Sequence, residues 1–460
     1  MEFGSLSVLP PLLVIVLAIM SHDVVISLLV GIFSGHLIVN NFNLLNTIIA
    51  LLDNIIDLFA EGWIVKTLLF SLMAGAIMRL LIDSGGTAGL LHFLTQRSRT
   101  IRSGKGALLL AYVIGLLIFI ESSIASLAAG TVTRPLCDRF GTSKQKLAYI
   151  CDSTSAPTCS LIALNGWGAL LIGLITTQVT DGMLSGNPTR LFIGSIPFNF
   201  YAWITLIIAL VVILKGWDIG VMREYEHHAK PTKPAHSPAG THLSRILIPL
   251  SVLIGMMPIS LYYTGHGNLM EGNAPSSVLY AVLASLFVSF LQYVILGNGM
   301  NRAEWFKSFY HGLSEMLPIV LILVLAFSIS DITKNMGTGQ YLASLATGII
   351  TPSIIPVIVF LLSGAITFAT GTSWATFSIM LPIGVSLAVT TGANVELVIG
   401  AVVSGGVFGN HCSPISNTTI ISSMVTGCEL IEHVNSQLPY ALIGGGIASG
   451  LFIIAGLLLV

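Results

Sequence analysis

Ten stretches of this chain, at residues 6–20, 23–40, 64–83, 147–178, 191–214, 246–264, 276–297, 317–333, 396–426 and 439–460, are apolar over lengths that approach or exceed the span of a bilayer. About 20 helical residues cross the roughly 30 Å of hydrocarbon, and inside it each backbone N–H and C=O must be satisfied within the protein. Runs of this kind dictate helices. The period-two alternation of a membrane barrel is absent. With 54% hydrophobic and 8% charged residues, against about 25% charged in globular domains, one large soluble core is excluded. The chain reads as an all-α polytopic membrane protein whose surroundings are a lipid bilayer.

Several function classes fall away on the same grounds. A net charge of -1 offers no basic face to nucleic acid, and no phosphate-cradling glycine motif occurs. Neither HExxH nor another nucleophile-and-base constellation appears, so the chain does not read as an enzyme and no cofactor is expected. The five cysteines, Cys137, Cys151, Cys159, Cys412 and Cys428, form no CxxC pair and read as small apolar side chains. The first apolar run lacks a basic n-region and an A-x-A site, so it is expected to be a retained span.

Charge then orients the chain. The polar stretch 215–245 carries Lys215, Arg223, Lys230, Lys233 and Arg245, which the positive-inside rule places in the cytoplasm. Its four histidines, interleaved with Pro, Lys and Ser, read as part of a solvated linker. Residues 96–105 and 134–146 are also basic, yet one apolar segment separates them. If both are cytoplasmic, residues 106–133 form a re-entrant hairpin with its tip near 119–126, a backbone tolerated at depth only under cover of protein or a cavity.

The pattern recurs about 250 residues later. "IFIESSIAS" is echoed by "ITFATGTSWAT" (366–376), "DSTSAPT" (152–158) by "HCSPISNTT" (411–419), and amphipathic segments at 43–61 and 301–315 precede the echoing stretches 71–89 and 323–341. Five crossings before the second copy make it start from the opposite side. The expectation is two inverted repeats of about five spans, 1–214 and 246–460, each with a re-entrant hairpin and a broken helix, joined by the linker 215–245. Such repeats point to a secondary transporter with its site at the midplane.

"GNHCSPISNTTI" (409–420) is then the unwound middle of one long span, "CDSTSAPT" (151–158) that of its mate, and the tips "ESS" and "TGTS" complete a four-part polar cluster. Glu121 and Asp152 stand out, because a carboxylate within a span is costly and marks an ion or proton path. A buried carboxylate that holds either H+ or Na+ is a unit of antiport; capping a hairpin helix or pairing with Arg134 is the structural alternative. Ser122, Ser123, Ser153, Thr154, Thr370, Thr372, Ser373, Asn410, His411, Ser413, Ser416, Asn417 and Thr418 are candidates for binding substrate or Na+, since hard cations want oxygen ligands and Pro414 frees carbonyls by interrupting its helix. Na+ at Glu121, Asp152 and Asn417 is the metal-ion hypothesis. Arg79 and Asp331, at nearly equivalent repeat positions, read either as an ion pair or as charges snorkelling toward an interface.

At "RPLCDRFGTSKQKLAYICDSTSAP", "NGWGALLIG", "GTSWATFSIMLPI" and "GAVVSGGVFGNHCSPISNTTIISS" the chain resembles the NhaC-type sodium/proton antiporter family of the ion-transporter superfamily. The resemblance implies two re-entrant hairpins, two broken helices, Na+ and H+ as transported ions, a cell inner membrane location and a homodimer. Relatives often carry an acidic pair where this chain has Glu121 and Ser122, and aspartates at Asn410 and Asn417. "SNT" at 416–418 is similar to elements by which sodium-coupled carboxylate transporters hold Na+ and substrate. Two readings follow: Na+/H+ antiport, or Na+-coupled transport of a small amino acid or carboxylate.

Overall fold

The computed structural model describes residues 3–459 except 22, 87–88, 90–100, 102, 120, 164, 232–241, 269–271, 298, 339–340 and 342–350. Part of the basic segment 96–105 and of the linker therefore lies outside the described residues. Everything regular in the described chain is helical, as the apolar runs require.

Helices α1 (Leu9–Ser21), α2 (Val24–Val39), α3 (Leu44–Leu58) and α4 (Gly62–Asp83) open the chain. A hairpin follows, α5 (Gly104–Leu117) and α6 (Ser122–Phe140), then α7 (Lys144–Ser160) and α8 (Gly166–Thr180), the bent pair α9 (Pro188–Ser195) and α10 (Phe200–Lys215), and the short linker helix α11 (Val221–His228). The order then recurs. It runs α12 (Ser244–Thr264), α13 (Ala274–Phe290), α14 (Arg302–Asn335), a hairpin α15 (Ile355–Thr370) and α16 (Ser373–Thr391), α17 (Val395–Cys412), α18 (Asn417–Thr426) and α19 (Leu430–Leu458). Eight helices among the described residues are long and apolar enough to cross a membrane, or nine if the pair bent by 44° around Asn199 counts as one span.

In space the two chain halves interleave. Helices α1–α4 pack with α12–α14, while α5–α10 pack with α15–α19. Close crossings depend on glycine. A Cβ on Gly75 of α4 would lie 2.4 Å from the Gly312 carbonyl oxygen of α14, and one on Gly312 2.4 Å from that of Gly75, so the two backbones touch. Within the second bundle Gly409 of α17 lies against Gly364 of α15 in the same manner.

Four expectations change. The runs 6–20 and 23–40 form helices of 13 and 16 residues, shorter than single spans. The first break falls at 161–165, not at 151–158. Helix α7 stays wound because Thr154 and Ser155 return their hydroxyls to Ile150 and Asp152 carbonyls, and Pro157 interrupts only one N–H. The amphipathic segment 301–315 and the following span are one 34-residue helix, started by a capping box at Asn301 and Glu304. The last helix begins at Leu430, not near 439, because its polar residues His433, Ser436 and Gln437 are buried.

Candidate functional site

The breaks and tips meet at a cavity of about 240 Å³. Glu121, Ser122 and Ser123 line it from the first tip, Thr372, Ser373 and Trp374 from the second, Asn165 and Trp167 from the first break, and Asn410, Asn417 and Thr418 from the second. Opposite stands an apolar wall from the other bundle, including Phe70, Met78, Met257, Val282 and Met316. The cavity thus lies between the bundles. Helices α6, α8, α16 and α18 all begin at it, so the partial positive charge of four helix N-termini faces inward, the first two capped by Glu121 and Asn165 and the other two without a side-chain cap.

Glu121 is the N-cap of α6. Its Oε2 accepts the Ile124 N–H at 2.8 Å and its Oε1 accepts the Ser122 hydroxyl at 3.4 Å, and the residue, half-buried, lines the cavity. Arg134 does not pair with it: that guanidinium bonds the Val425 carbonyl and lies 3.9 Å from Asp138. Asn165 clamps the first tip, its amide donating to the Phe119 and Cys159 carbonyls at 2.8 Å each and its oxygen capping α8. The second tip is fastened by Ser413 to the Phe368 carbonyl at 2.8 Å and Ser373 to the Gly406 carbonyl at 2.9 Å. Gly371 has φ +70°, and a Cβ there would meet the Ile415 carbonyl oxygen at 2.6 Å.

The other sequence candidates take different positions. Ser416 donates to Asn410 Oδ1 at 2.5 Å, drawing the two ends of the second break together. Thr154 and Thr370 return their hydroxyls to carbonyls one turn back, Thr154 against Gly115, where no side chain fits. Ser153 is buried within α7. Asp152 and His411 do not line the cavity. Asp152 accepts from Thr419 at 3.0 Å and Gln437 at 2.8 Å and lies 3.4 Å from His433; His411 meets the Tyr201 hydroxyl at 3.1 Å. Arg79 pairs with Asp83 and Glu315, whereas Asp331 accepts from Asn54, so the pairing of Arg79 with Asp331 is corrected.

Asn165, Tyr201, His433 and Gln437 escaped the sequence reading. For the last two a signal existed, a polar i, i+4 pair at the edge of an apolar run; for Tyr201 there was none.

A helical membrane protein whose broken helices and hairpin tips enclose a cavity between two bundles, polar on one side and apolar on the other, belongs to the class of secondary carriers. The model of the Na+/H+ antiporter family matches residues 158–457, and the chain belongs to that family, which is one of transporters and not of enzymes. The NhaC-type resemblance is thereby borne out. An uncharacterized protein of Haemophilus influenzae is 35% identical over 458 residues, 95% of this chain and 88% of that protein. The malate-2H+/Na+-lactate antiporter of Bacillus subtilis is 30% identical over 178 residues, 37% of each chain. The crystal structure of the Alcanivorax borkumensis YdaH transporter superposes with a TM-score of 0.62 over 88% of this chain and 87% of that one, at 14% identity, a likeness of fold. The protein is a Na+/H+ antiporter-type transporter, with Na+ and H+ as the ions its family exchanges.

Proposed function

We propose that Na+ binds in the cavity beside Glu121, with oxygens from Ser122, Ser123, Thr372, Ser373, Asn410, Asn417 and Thr418 completing its shell, and that Asp152 couples that binding to proton movement. The observation that carries the reading is Glu121, a half-buried acidic residue lining a cavity built from both tips and both breaks. A carboxylate at that depth is costly unless a proton or a cation neutralises it. The two compete, which is the elementary step of exchange.

The recurring order of elements supports two inverted repeats, 1–214 and 246–460. Re-entry of the first hairpin has support too. Helix α5 has 14 residues, about 21 Å at 1.5 Å per residue, and a Cβ on Gly104 would lie 2.4 Å from Thr142 Oγ1, so the hairpin returns to where it started. The linker docks on that same end through Lys146 with Asp218 at 2.9 Å and Glu226 with the Ser143 N–H at 2.9 Å, and its basic flanks favour the cytoplasmic side of the inner membrane. A homodimer rests on the family resemblance, and chemical cross-linking in native membranes tests it.

The experiment is a proteoliposome assay with a Na+ gradient and an internal pH dye. Proton movement without added solute supports antiport; its absence sinks it. A second reading, cotransport or exchange of a small organic anion, has its own observation: the cavity exceeds the needs of an ion, bears an apolar wall and receives four helix N-termini, which suit a carboxylate. Adding labelled amino acids and carboxylates to the same assay separates the two.

A further inference from the structure

One side chain at the first break joins the first tip to two helix ends. Asn165, 5% exposed and on the cavity wall, accepts the Gly168 N–H of α8 at 2.9 Å through Oδ1. Its amide nitrogen donates to the Cys159 carbonyl near the end of α7 and to the Phe119 carbonyl of the tip, at 2.8 Å each. Capping α8 needs the oxygen alone, and serine or aspartate caps a helix about as well as asparagine. The carboxamide adds two N–H donors to that acceptor, and both go to carbonyls that a hairpin turn and a helix end leave open.

The bond to the tip recurs. About 250 residues further on, Ser413 of the second break donates to the Phe368 carbonyl of the second tip at 2.8 Å, across 45 residues of chain against 46 for Asn165 and Phe119. In each half a break side chain therefore holds its own tip by a backbone carbonyl just ahead of residues that line the cavity, Glu121 after Phe119 and Thr372 after Phe368. We propose that Asn165 is a positioning residue for the ion: by tying the first tip to α7 and α8 it keeps Glu121 at the cavity before Na+ arrives. A tip without that tie occupies the binding pose for only part of the time. Apparent affinity then falls in proportion, while the bound state, once formed, is the same.

The inference rests on Glu121 as the Na+ ligand, and its test keeps the two apart. Asn165→Ser retains an oxygen for the Gly168 N–H but has no donors for the Phe119 and Cys159 carbonyls together. Equilibrium binding of radiolabelled Na+ to the purified variant is expected to weaken at least about tenfold, whereas flux at saturating Na+ in proteoliposomes stays within about threefold of wild type. A merely structural asparagine would do the opposite, lowering the maximal rate with the amount of folded protein and leaving Na+ affinity alone; that result, or wild-type affinity and rate together, overturns the proposal. Glu121→Gln supplies the second arm. If Asn165 acts through Glu121, the double variant binds Na+ no more weakly than Glu121→Gln by itself, and penalties that multiply in full overturn the proposal. Unchanged affinity in Glu121→Gln removes the Na+ reading and this inference with it, while a weakened Glu121→Gln beside an unaffected Asn165→Ser removes the inference alone. Asn165→Thr, which also keeps a capping oxygen, carries the same test should the serine variant not fold.

Discussion

At the scale of residues, the two acids have separate surroundings, and their substitutions should behave differently. Glu121 caps α6 and faces the cavity. In Glu121→Gln the cap oxygen survives but the charge is lost, so Na+-dependent transport should fall by at least about tenfold while thermal stability in detergent changes little. A fluorescence melt beside the flux assay checks both, and a variant that transports normally assigns Glu121 to capping alone. Wild-type Na+ affinity should also weaken as pH falls, since proton and cation compete for the same negative charge. Asp152→Ala removes the acceptor of Thr419 and Gln437 and the partner of His433; it should lower the melting temperature as well as the flux, because several buried polar groups lose a partner together. Both acids were legible in the sequence through the cost of a charge in a span. Their separation was not, since it depends on which face of α7 Asp152 occupies, and His433 looked like the polar margin of a helix.

At the scale of elements, pattern located the two helix–turn–helix tips and the second break, but put the first break in residues that stay helical. Ser and Thr in α7 bond their own helix, so a polar stretch that reads as unwound remains helical, whereas Ser413–Ser416 is unwound around Pro414. Glycine crossings were likewise invisible, because a glycine's contact partner lies hundreds of residues away. They make a sharp prediction: Gly312→Leu drives a side chain into the α4 backbone at Gly75 and should destabilise the protein by about 3 kcal/mol or prevent its accumulation. Leu at Gly446, where a Cβ meets nothing within 4 Å, is the control, and equal melts for the two would refute a backbone contact. Hairpin topology has its own measurement. Ser143 is buried as the α7 N-cap, so the exposed neighbours Lys105 and Lys144 are the positions to mutate. Lys105→Cys and Lys144→Cys, in a background without native cysteines, should both label from the cytoplasm. Labelling from opposite faces would make 106–133 a true span and remove the inverted repeat with it.

At the scale of the whole molecule, the chain halves read from sequence do not coincide with the bodies that pack in space. Each half gives helices to both bundles, and the cavity opens along the seam between them. Alternating access then requires that seam to shift, since one wall of the cavity belongs to each bundle. Helix α8 is the place to test it, for it packs against α7, α9 and α16 on one side and α4 and α13 on the other. A Cβ on Gly173 of α8 would lie 3.4 Å from Thr67 Oγ1 and 3.6 Å from Thr67 Cγ2 of α4, within reach of a disulfide, whose Cβ atoms sit about 3.5–4.5 Å apart. The pair Gly173→Cys with Thr67→Cys, in a background without the native five, should therefore oxidise with copper phenanthroline, as loss of both free thiols by mass spectrometry will show. If α8 moves against α4 during transport, the oxidised protein should bind Na+ yet pass none across the membrane, and reduction should restore the flux. The single variants control for the substitutions themselves. Full flux through the cross-linked protein would mean that the α4–α8 seam is rigid, and the movement would then have to lie within the second bundle, at the tips and breaks alone.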